Sequence, residues 1–435
     1  MVHGRHLSVK RERLAGSWYA ASAGGAAAHP PLRGEADCDV CVVGGGIAGC
    51  STALHLAQRG YRVVLVEAER IGWGASGRSG GQAIVGVACG QARLERLAGA
   101  ADARRIWDIS VEGLRLQREL IAQHAIDCDY VEGQMHVAIK ARQDRELRNE
   151  VEELHSRYGY TSVRMVERDE TRQLIDSERY ISGTLDSAGG HLHPLKYTLG
   201  LAAAATTAGV RIFEDSRALG YQRRDGRLEV GTAGGGLVRC RSLALCGNAW
   251  LGPLAPALAR RIIGVGTYII ATAPLGAERA AALIRNRAAV SDINWVLDYF
   301  RLSSDHRLLF GGRVSYSGVD PFTAPATRAR MLQVFPQLAD TAIDYAWGGL
   351  VDITLNRAPD FGRLEPDVFY LQGFSGHGIA LTGVAGHLLA EAIAGTAERF
   401  DVFGRIEHRE FPGGAALRRP ALMLAMLWYR LKDLL

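Results

Sequence analysis

Lysine is nearly missing from this chain. Lys10, Lys140, Lys196 and Lys432 are the only ones in 435 residues, so the net charge of +5 rests on arginine. That charge is spread out, and no basic stripe interleaved with aromatics occurs, which argues against nucleic acid as a partner. No apolar run reaches the roughly 20 residues that a membrane-spanning helix needs. Met1 to Leu14 is basic but lacks the apolar stretch of a secretory signal. Internal repeats and low-complexity tracts are absent too. The seven cysteines, at 38, 41, 50, 89, 128, 240 and 246, are odd in number and scattered, which points to reduced thiols in a cytoplasmic protein. Cys38 and Cys41 form a CxxC, but an odd separation on a strand sends side chains to opposite faces, which speaks against a redox pair. No metal site is expected.

What remains is 48% apolar and 22% charged, the balance of an ordinary soluble protein. Its length suggests two domains rather than one simple core. The most informative stretch is Cys41-Val42-Val43-Gly44-Gly45-Gly46-Ile47-Ala48-Gly49, followed by Val63-Val64-Leu65-Val66-Glu67. It reads as strand, glycine turn, helix, strand and acid, the layout of a dinucleotide-binding βαβ unit. Gly44 allows the sharp turn, Gly46 lets a pyrophosphate approach, and Gly49 lets the helix pack close to the sheet. The helix, roughly Gly46 to Arg59, points its positive end at the phosphates. Glu67 is placed to accept hydrogen bonds from a ribose diol.

Further along, Arg70 to Gln82 carries five glycines among small hydroxyl residues, a backbone able to lie flat against a planar ligand. Periodicity predicts helices over Ala101–Ile126, Gln143–Tyr158, Asp169–Ile175 and Leu195–Ala208, the last entered by a turn at Gly189-Gly190-His191-Leu192-His193-Pro194. Strands are expected at Val131–Ile139, Val210–Phe213, Leu243–Cys246 and Val368–Gln372, with a hairpin around Asp225-Gly226. The segment Ile262 to Gly318 alternates in β fashion, and Thr327–Phe335 reads as helix. Gly373-Phe374-Ser375-Gly376-His377-Gly378 then opens a second glycine-led helix, Ile379 to Ile393. Ala421 to Trp428 reads as a short terminal helix, with docking on its own domain set against contact with a membrane surface.

Together these three glycine motifs resemble the D-amino-acid oxidase superfamily of FAD-dependent amine and amino-acid oxidoreductases, which includes glycine and sarcosine oxidases. Ser17-Trp18-Tyr19-Ala20-Ala21, Cys246-Gly247-Asn248-Ala249, Tyr299 to Ser303, Val351 to Asp360, Phe411 to Gly414 and Leu427 to Leu431 bring the likeness closest to the subgroup acting on gamma-glutamylputrescine. The resemblance implies an α/β fold: a Rossmann-like FAD-binding domain interleaved with an antiparallel-sheet α+β substrate domain. The expected division gives 36–125, 186–255 and 346–400 to the first and 126–185 and 256–345 to the second. Residues 1–35 would be a lead-in and 401–435 a tail with a short helix.

It also implies non-covalent FAD. Gly44, Gly46, Ile47, Ala48, Gly49, Glu67 and Ala68 would hold the adenosine and diphosphate, with Ala218 by the adenine. Ala75, Ser76, Ser79, Gly80, Gly81 and Gln82 would run beside the diphosphate and isoalloxazine, with Gly247 close by. Gly376, His377, Gly378 and Ile379 would lie at the far edge of the ring. His377 is the polar candidate there, or else a residue bonded to backbone. Tyr299 and Trp347 either wall the amine pocket or belong to the core, and Arg301 either reads a distant substrate carboxylate or forms a salt bridge.

Departures from the superfamily narrow the substrate. The stretch in which amino-acid oxidases carry a carboxylate-clamping arginine is Gly349-Leu350-Val351-Asp352 here, and Ala380 stands where sarcosine oxidases place a lysine. A small-molecule amine, gamma-glutamylputrescine or a relative, is therefore favoured over an α-amino acid. Asp352 either holds its ammonium or braces strands. Oxygen is the expected acceptor. The alternative is a D-amino-acid or N-methyl-amino-acid dehydrogenase serving a quinone or carrier, because an oxygen-activating lysine of sarcosine oxidases aligns near apolar Leu309.

Overall fold

The computed structural model describes residues 16–25, 28–315 and 323–412. The expected terminal helix Ala421–Trp428 and the basic stretch Met1–Leu14 lie outside them. A six-stranded sheet runs Asp360–Glu365, Val368–Gln372, Ser242–Leu245, Val40–Val43, Val63–Val66, Arg211–Phe213. All pairings are parallel except the first. Val40–Val43 is buried at every position, which is why it reads as an unbroken apolar run.

Alternate strand residues feed two cores. Val40, Val42 and Leu65 meet helices Ile47–Gln58, Ala100–Gln123, Pro194–Thr207 and Leu381–Ile393. Cys41, Val64 and Leu245 face a four-stranded sheet of Glu35–Asp37, Leu237–Cys240, Arg227–Thr232 and Ala218–Arg224. Cys38 joins Cys41 and Cys240 in this second core. The expectation of opposite faces fails because Cys38 precedes the strand, with a bend at Asp39 between. All seven thiols are free.

A nine-stranded sheet supplies the other half. Its path is Ile343–Thr354, Ile262–Thr272, Leu308–Ser315, Tyr299–Leu302, Ala289–Asp292, Val131–Ala138, Ser182–His191 and Gln82–Ala83, with Val163–Val166 paired alongside Ser182–His191. Only Ala289–Asp292 on Val131–Ala138 is parallel. Stacked Phe300 and Phe310, with Phe335 edge-on, fill the core behind it.

Several local expectations are corrected. Gly189-Gly190-His191 is not a turn but the end of strand Ser182–His191, where a Cβ on Gly190 would come within 2.6 Å of the Val131 carbonyl oxygen. The β-like segment after Ile262 is interrupted by helix Ala277–Leu283, whose alanine run favours helix over strand. Helix Gln91–Ala98 was not anticipated, and the last long helix starts at Leu381 rather than Ile379. No helix among the described residues is long and apolar enough to cross a membrane.

The helices Ile47–Gln58 and Leu381–Ile393 cross at Gly386, where a Cβ would stand 2.7 Å from both the Ala48 carbonyl oxygen and the Thr52 nitrogen. Gly386→Ala should therefore destabilise the fold by about 1–3 kcal/mol, as overpacking does. Urea unfolding would show this as a lower midpoint with an unchanged slope.

Candidate active site

A cleft whose empty space, open solvent included, is about 1010 Å³ opens where Val40–Val43, Val63–Val66 and Ser242–Leu245 end. Ligands bind at this carboxyl edge in open α/β sheets. Gly44, with φ of +111°, turns the first strand into the helix, and a Cβ there would meet the Cys246 carbonyl oxygen at 2.7 Å. Gly49 allows the helix to land on this turn, since its Cβ would overlap the Gly44 carbonyl oxygen at 1.9 Å. A Cβ on Gly46 would lie 2.8 Å from Ser76 Oγ, so the glycine keeps open the space between turn and loop. The helix has no side-chain N-cap. Its Ile47 N–H donates to Ser76 Oγ at 3.0 Å, and Gly46 and Ala48 line the cleft.

Glu67 lines the same cleft. Its carboxylate accepts from the Gly45 N–H at 2.6 Å and the Glu69 N–H at 2.9 Å, and burial raises its pKa. Ala68, Ala75, Ser76, Arg217, Ala218 and Gly247 line the cleft as well. Sequence reasoning missed Trp73 and Trp250, which also line it with rings edge-to-face at 5.1 Å. It also missed Glu214, which accepts from the Ile71 N–H at 2.7 Å and pairs with Arg70 at 2.9 Å, tying down the start of the glycine-rich loop. No motif marks that acid.

The part of the loop that lines the cleft ends at Ser76. Ser79 Oγ is buried without a hydrogen-bond partner. Gly80 packs on Tyr299, Gly81 accepts from the Leu192 N–H at 2.9 Å, and Gln82 donates to the Val290 carbonyl at 3.1 Å. Trp347 donates from Nε1 to the Arg78 carbonyl at 2.9 Å. Tyr299, Arg301 and Trp347 thus gather around residues 78–81. Asp352 lies elsewhere, beneath the second glycine loop.

Asp352 is 1% exposed and accepts from the Gly373 N–H. Burial pushes its pKa up to about 6, against the lowering pull of that bond and of Asn248. Its own carbonyl accepts from the Ser375 N–H at 3.0 Å. The acid braces Gly373–Ser375. Ser375 adopts φ of +54°, unusual for a non-glycine, and Gly376 follows at +88°. His377 donates from Nε2 to the Val85 carbonyl at 2.8 Å, and burial lowers its pKa to about 4, so it is a neutral imidazole at pH 7 with Nδ1 as acceptor. Gly378 and Ile379 carry the chain into the helix, and Thr382 at its first turn lines the cleft.

This donor set fits a dinucleotide with a flavin. A glycine cradle and a helix N-terminus suit a diphosphate, Glu67 suits a ribose, and the orphaned Asn248 Oδ1 and Ser79 Oγ are buried polar atoms awaiting a partner. Such a cleft in such a fold defines a dinucleotide-dependent redox protein. The family model for FAD-dependent oxidoreductases, DAO, matches residues 39–392. The chain belongs to that family, and FAD is its cofactor. It is 41% identical over 419 residues to gamma-glutamylputrescine oxidoreductase of Escherichia coli K12, covering 96% of this chain and 98% of that one. It is 39% identical over 408 residues to the probable oxidoreductase OrdL of Haemophilus influenzae, covering 93% of this chain and 94% of that one. Among solved structures, glycine oxidase from Geobacillus kaustophilus superposes with a TM-score of 0.72 at 19% identity, over 86% of this chain and 99% of that one. L-proline dehydrogenase from P. horikoshii gives 0.69 at 19%, over 87% and 100%.

Two outcomes follow from this geometry. Gly46→Val should fill the cradle and weaken FAD binding at least tenfold while leaving the far-ultraviolet dichroism unchanged. Asp352 should impose a pH dependence on stability. Its native pKa of about 6 exceeds the ordinary 3.8, so the native state binds the extra proton and stability falls as pH rises through that window. The difference in unfolding free energy between wild type and Asp352→Asn should change between pH 4 and 6 and be flat above.

Proposed function

We propose that this chain oxidises gamma-glutamylputrescine or a closely related amine. The observation carrying the reading is its 41% identity, over nearly the full length of both chains, to an enzyme named for that substrate. Bound FAD would supply a hydride acceptor for the C–H bond beside the amine nitrogen; with loss of the N–H proton this leaves an imine, which water converts to an aldehyde with release of ammonia. The protein's tasks are then to orient the amine and keep it unprotonated.

Several residues support this reading. Neutral His377 places no positive charge against an ammonium or amine. Val351, 3.6 Å from where a Gly376 Cβ would stand, presents an apolar group in the stretch expected to clamp a carboxylate. The nearby arginines are engaged: Arg78 donates to the Trp73 and Gly348 carbonyls, and Arg301 to those of Gly80 and Leu192. Neither offers a ready clamp for an α-carboxylate. Asp352, braced under the second loop, acts through Gly373–Ser375 rather than as the ammonium's counter-ion.

Oxygen is the acceptor in this proposal. The competing reading, a dehydrogenase of D-amino acids or N-methyl amino acids that feeds a quinone, draws on Leu309. That residue is buried among Trp18, Tyr19 and Trp347, so an apolar side chain occupies the position assigned to an oxygen-activating lysine.

Anaerobic mixing with a panel of amines and amino acids tests both. The flavin absorbance at its visible maximum should bleach with gamma-glutamylputrescine and return on admitting air. Bleaching by D-amino acids alone, with recovery only on adding a quinone, would overturn the proposal in favour of its rival. Acid precipitation should leave the flavin in the supernatant, as expected for a cofactor held without a covalent bond.

A further inference from the structure

Arg301 is 3% exposed, yet no carboxylate is among its hydrogen-bond partners, and it enters none of the ion pairs of the described residues. Every guanidinium nitrogen is committed to a neutral acceptor. Nε donates to the Gly80 carbonyl at 2.7 Å, and Nη2 to the Leu192 carbonyl at 3.0 Å and the Tyr19 hydroxyl at 3.1 Å. Nη1 faces the Leu302 carbonyl at 3.3 Å and His191 Nδ1 at 3.5 Å. His191 gives its Nε2 proton to the Arg287 carbonyl at 2.9 Å, so Nδ1 is a neutral acceptor, and burial with the arginine's charge lowers its pKa to about 3.

Other charges nearby are already paired. Asp129 holds Lys196 at 3.1 Å, and Asp305 holds Arg307 at 2.7 Å. His193 is kept neutral, its Nδ1 accepting from the Lys196 N–H at 3.2 Å and Nε2 facing Ser22 Oγ at 3.1 Å. A buried cation without an anion is costly and ordinarily avoided. With all donors spent, it acts on a ligand only through its field and through the backbone it grips.

That backbone is the glycine-rich loop. A Cβ on Gly81 would lie 2.2 Å from the Leu192 oxygen and 3.2 Å from Arg301 Nη2, and one on Gly80 would lie 2.8 Å from the Tyr299 ring. Tyr19, from the helix Trp18–Ser22, also meets Trp347 at 5.1 Å between centroids. Trp347 in turn holds the Arg78 carbonyl.

We propose that Arg301 is a positioning residue for the flavin: it staples Gly80 against Leu192 and Tyr19, and its unneutralised charge favours the negatively charged reduced cofactor, raising the midpoint potential. The proposal rests on the reading that residues 75–82 run beside the isoalloxazine. A cation in a low-dielectric interior acts over distances at which a surface charge is screened. A fork of fixed donors, rather than a flexible ammonium, also sets the loop's position.

The test compares holoenzyme of wild type, Arg301→Lys and Arg301→Met by dye-equilibrated potentiometry, sulfite titration of the flavin, and FAD dissociation. Arg301→Met should lower the potential and weaken sulfite binding at least tenfold. Arg301→Lys should keep both near wild type while releasing FAD faster, because charge is retained and the fork is lost. An Arg301→Met holoenzyme with wild-type potential, or equal shifts in the Lys and Met variants, overturns the proposal. If Arg301→Met does not fold, a fall in the potential of Arg301→Lys, or a wild type that binds no sulfite, overturns it too. These failures are separable from failure of the cofactor reading, which Gly46→Val with undiminished FAD affinity would sink by itself.

Discussion

The contact on which everything else depends is between two stretches of backbone. The Gly44 carbonyl occupies the space where residue 49 would carry a Cβ. That approach seats the helix on the end of the central strand and aims its free N–H groups along the cleft. A second approach, Gly386 against Ala48 and Thr52, locks the helix Leu381–Ile393 onto Ile47–Gln58. Two helix N-termini, from chain segments more than 300 residues apart, are thereby set against one cavity, with missing methyl groups admitting the close approach and a shared apolar core and the Ser51 Oγ bond to the Gly383 carbonyl holding it.

The loops around the cavity are organised on a different principle. Loop 70–82 has little core of its own and is held by its carbonyls and amides: Glu214 at its start, Ser76 against the helix, Trp347 and Arg301 towards its end. Beneath the second glycine loop, Asp352 does the same for Gly373–Ser375. Buried polar side chains here hold backbone in place. Pre-set polar surroundings of this kind are what redox chemistry exploits.

The dinucleotide unit was legible because its constraints are local: an apolar run, a glycine spacing and an acid within one βαβ. The parallel strands and most helices were legible for the same reason. Gly189–His191 was not, because those glycines answer to a neighbouring strand rather than to a turn. Cys38 deceived because strand alternation was applied one residue past a bend. At the site, glycine positions could be read, but the partners of charged side chains could not. Asp352 and Arg301 look in sequence like ligands for a substrate, and only three-dimensional proximity shows their atoms turned onto Gly373 and Gly80. Glu214 carries no motif, because its task is to satisfy two neighbours distant in sequence.

The order of strands in the parallel sheet bears on how the chain is made. Val40–Val43 lies beside Val63–Val66 on one flank but beside Ser242–Leu245 on the other, and that strand is completed by Val368–Gln372. The central strand therefore leaves the ribosome long before its second neighbour exists. Its unpaired edge and apolar flank must wait through some 200 residues of synthesis, about 10–40 s at ordinary rates of elongation. Loop closure on that scale makes folding slow and leaves an early strand open to wrong partners. Only after Thr382 has emerged is the lining of the cleft complete, although its glycine turn and Glu67 are made near the start.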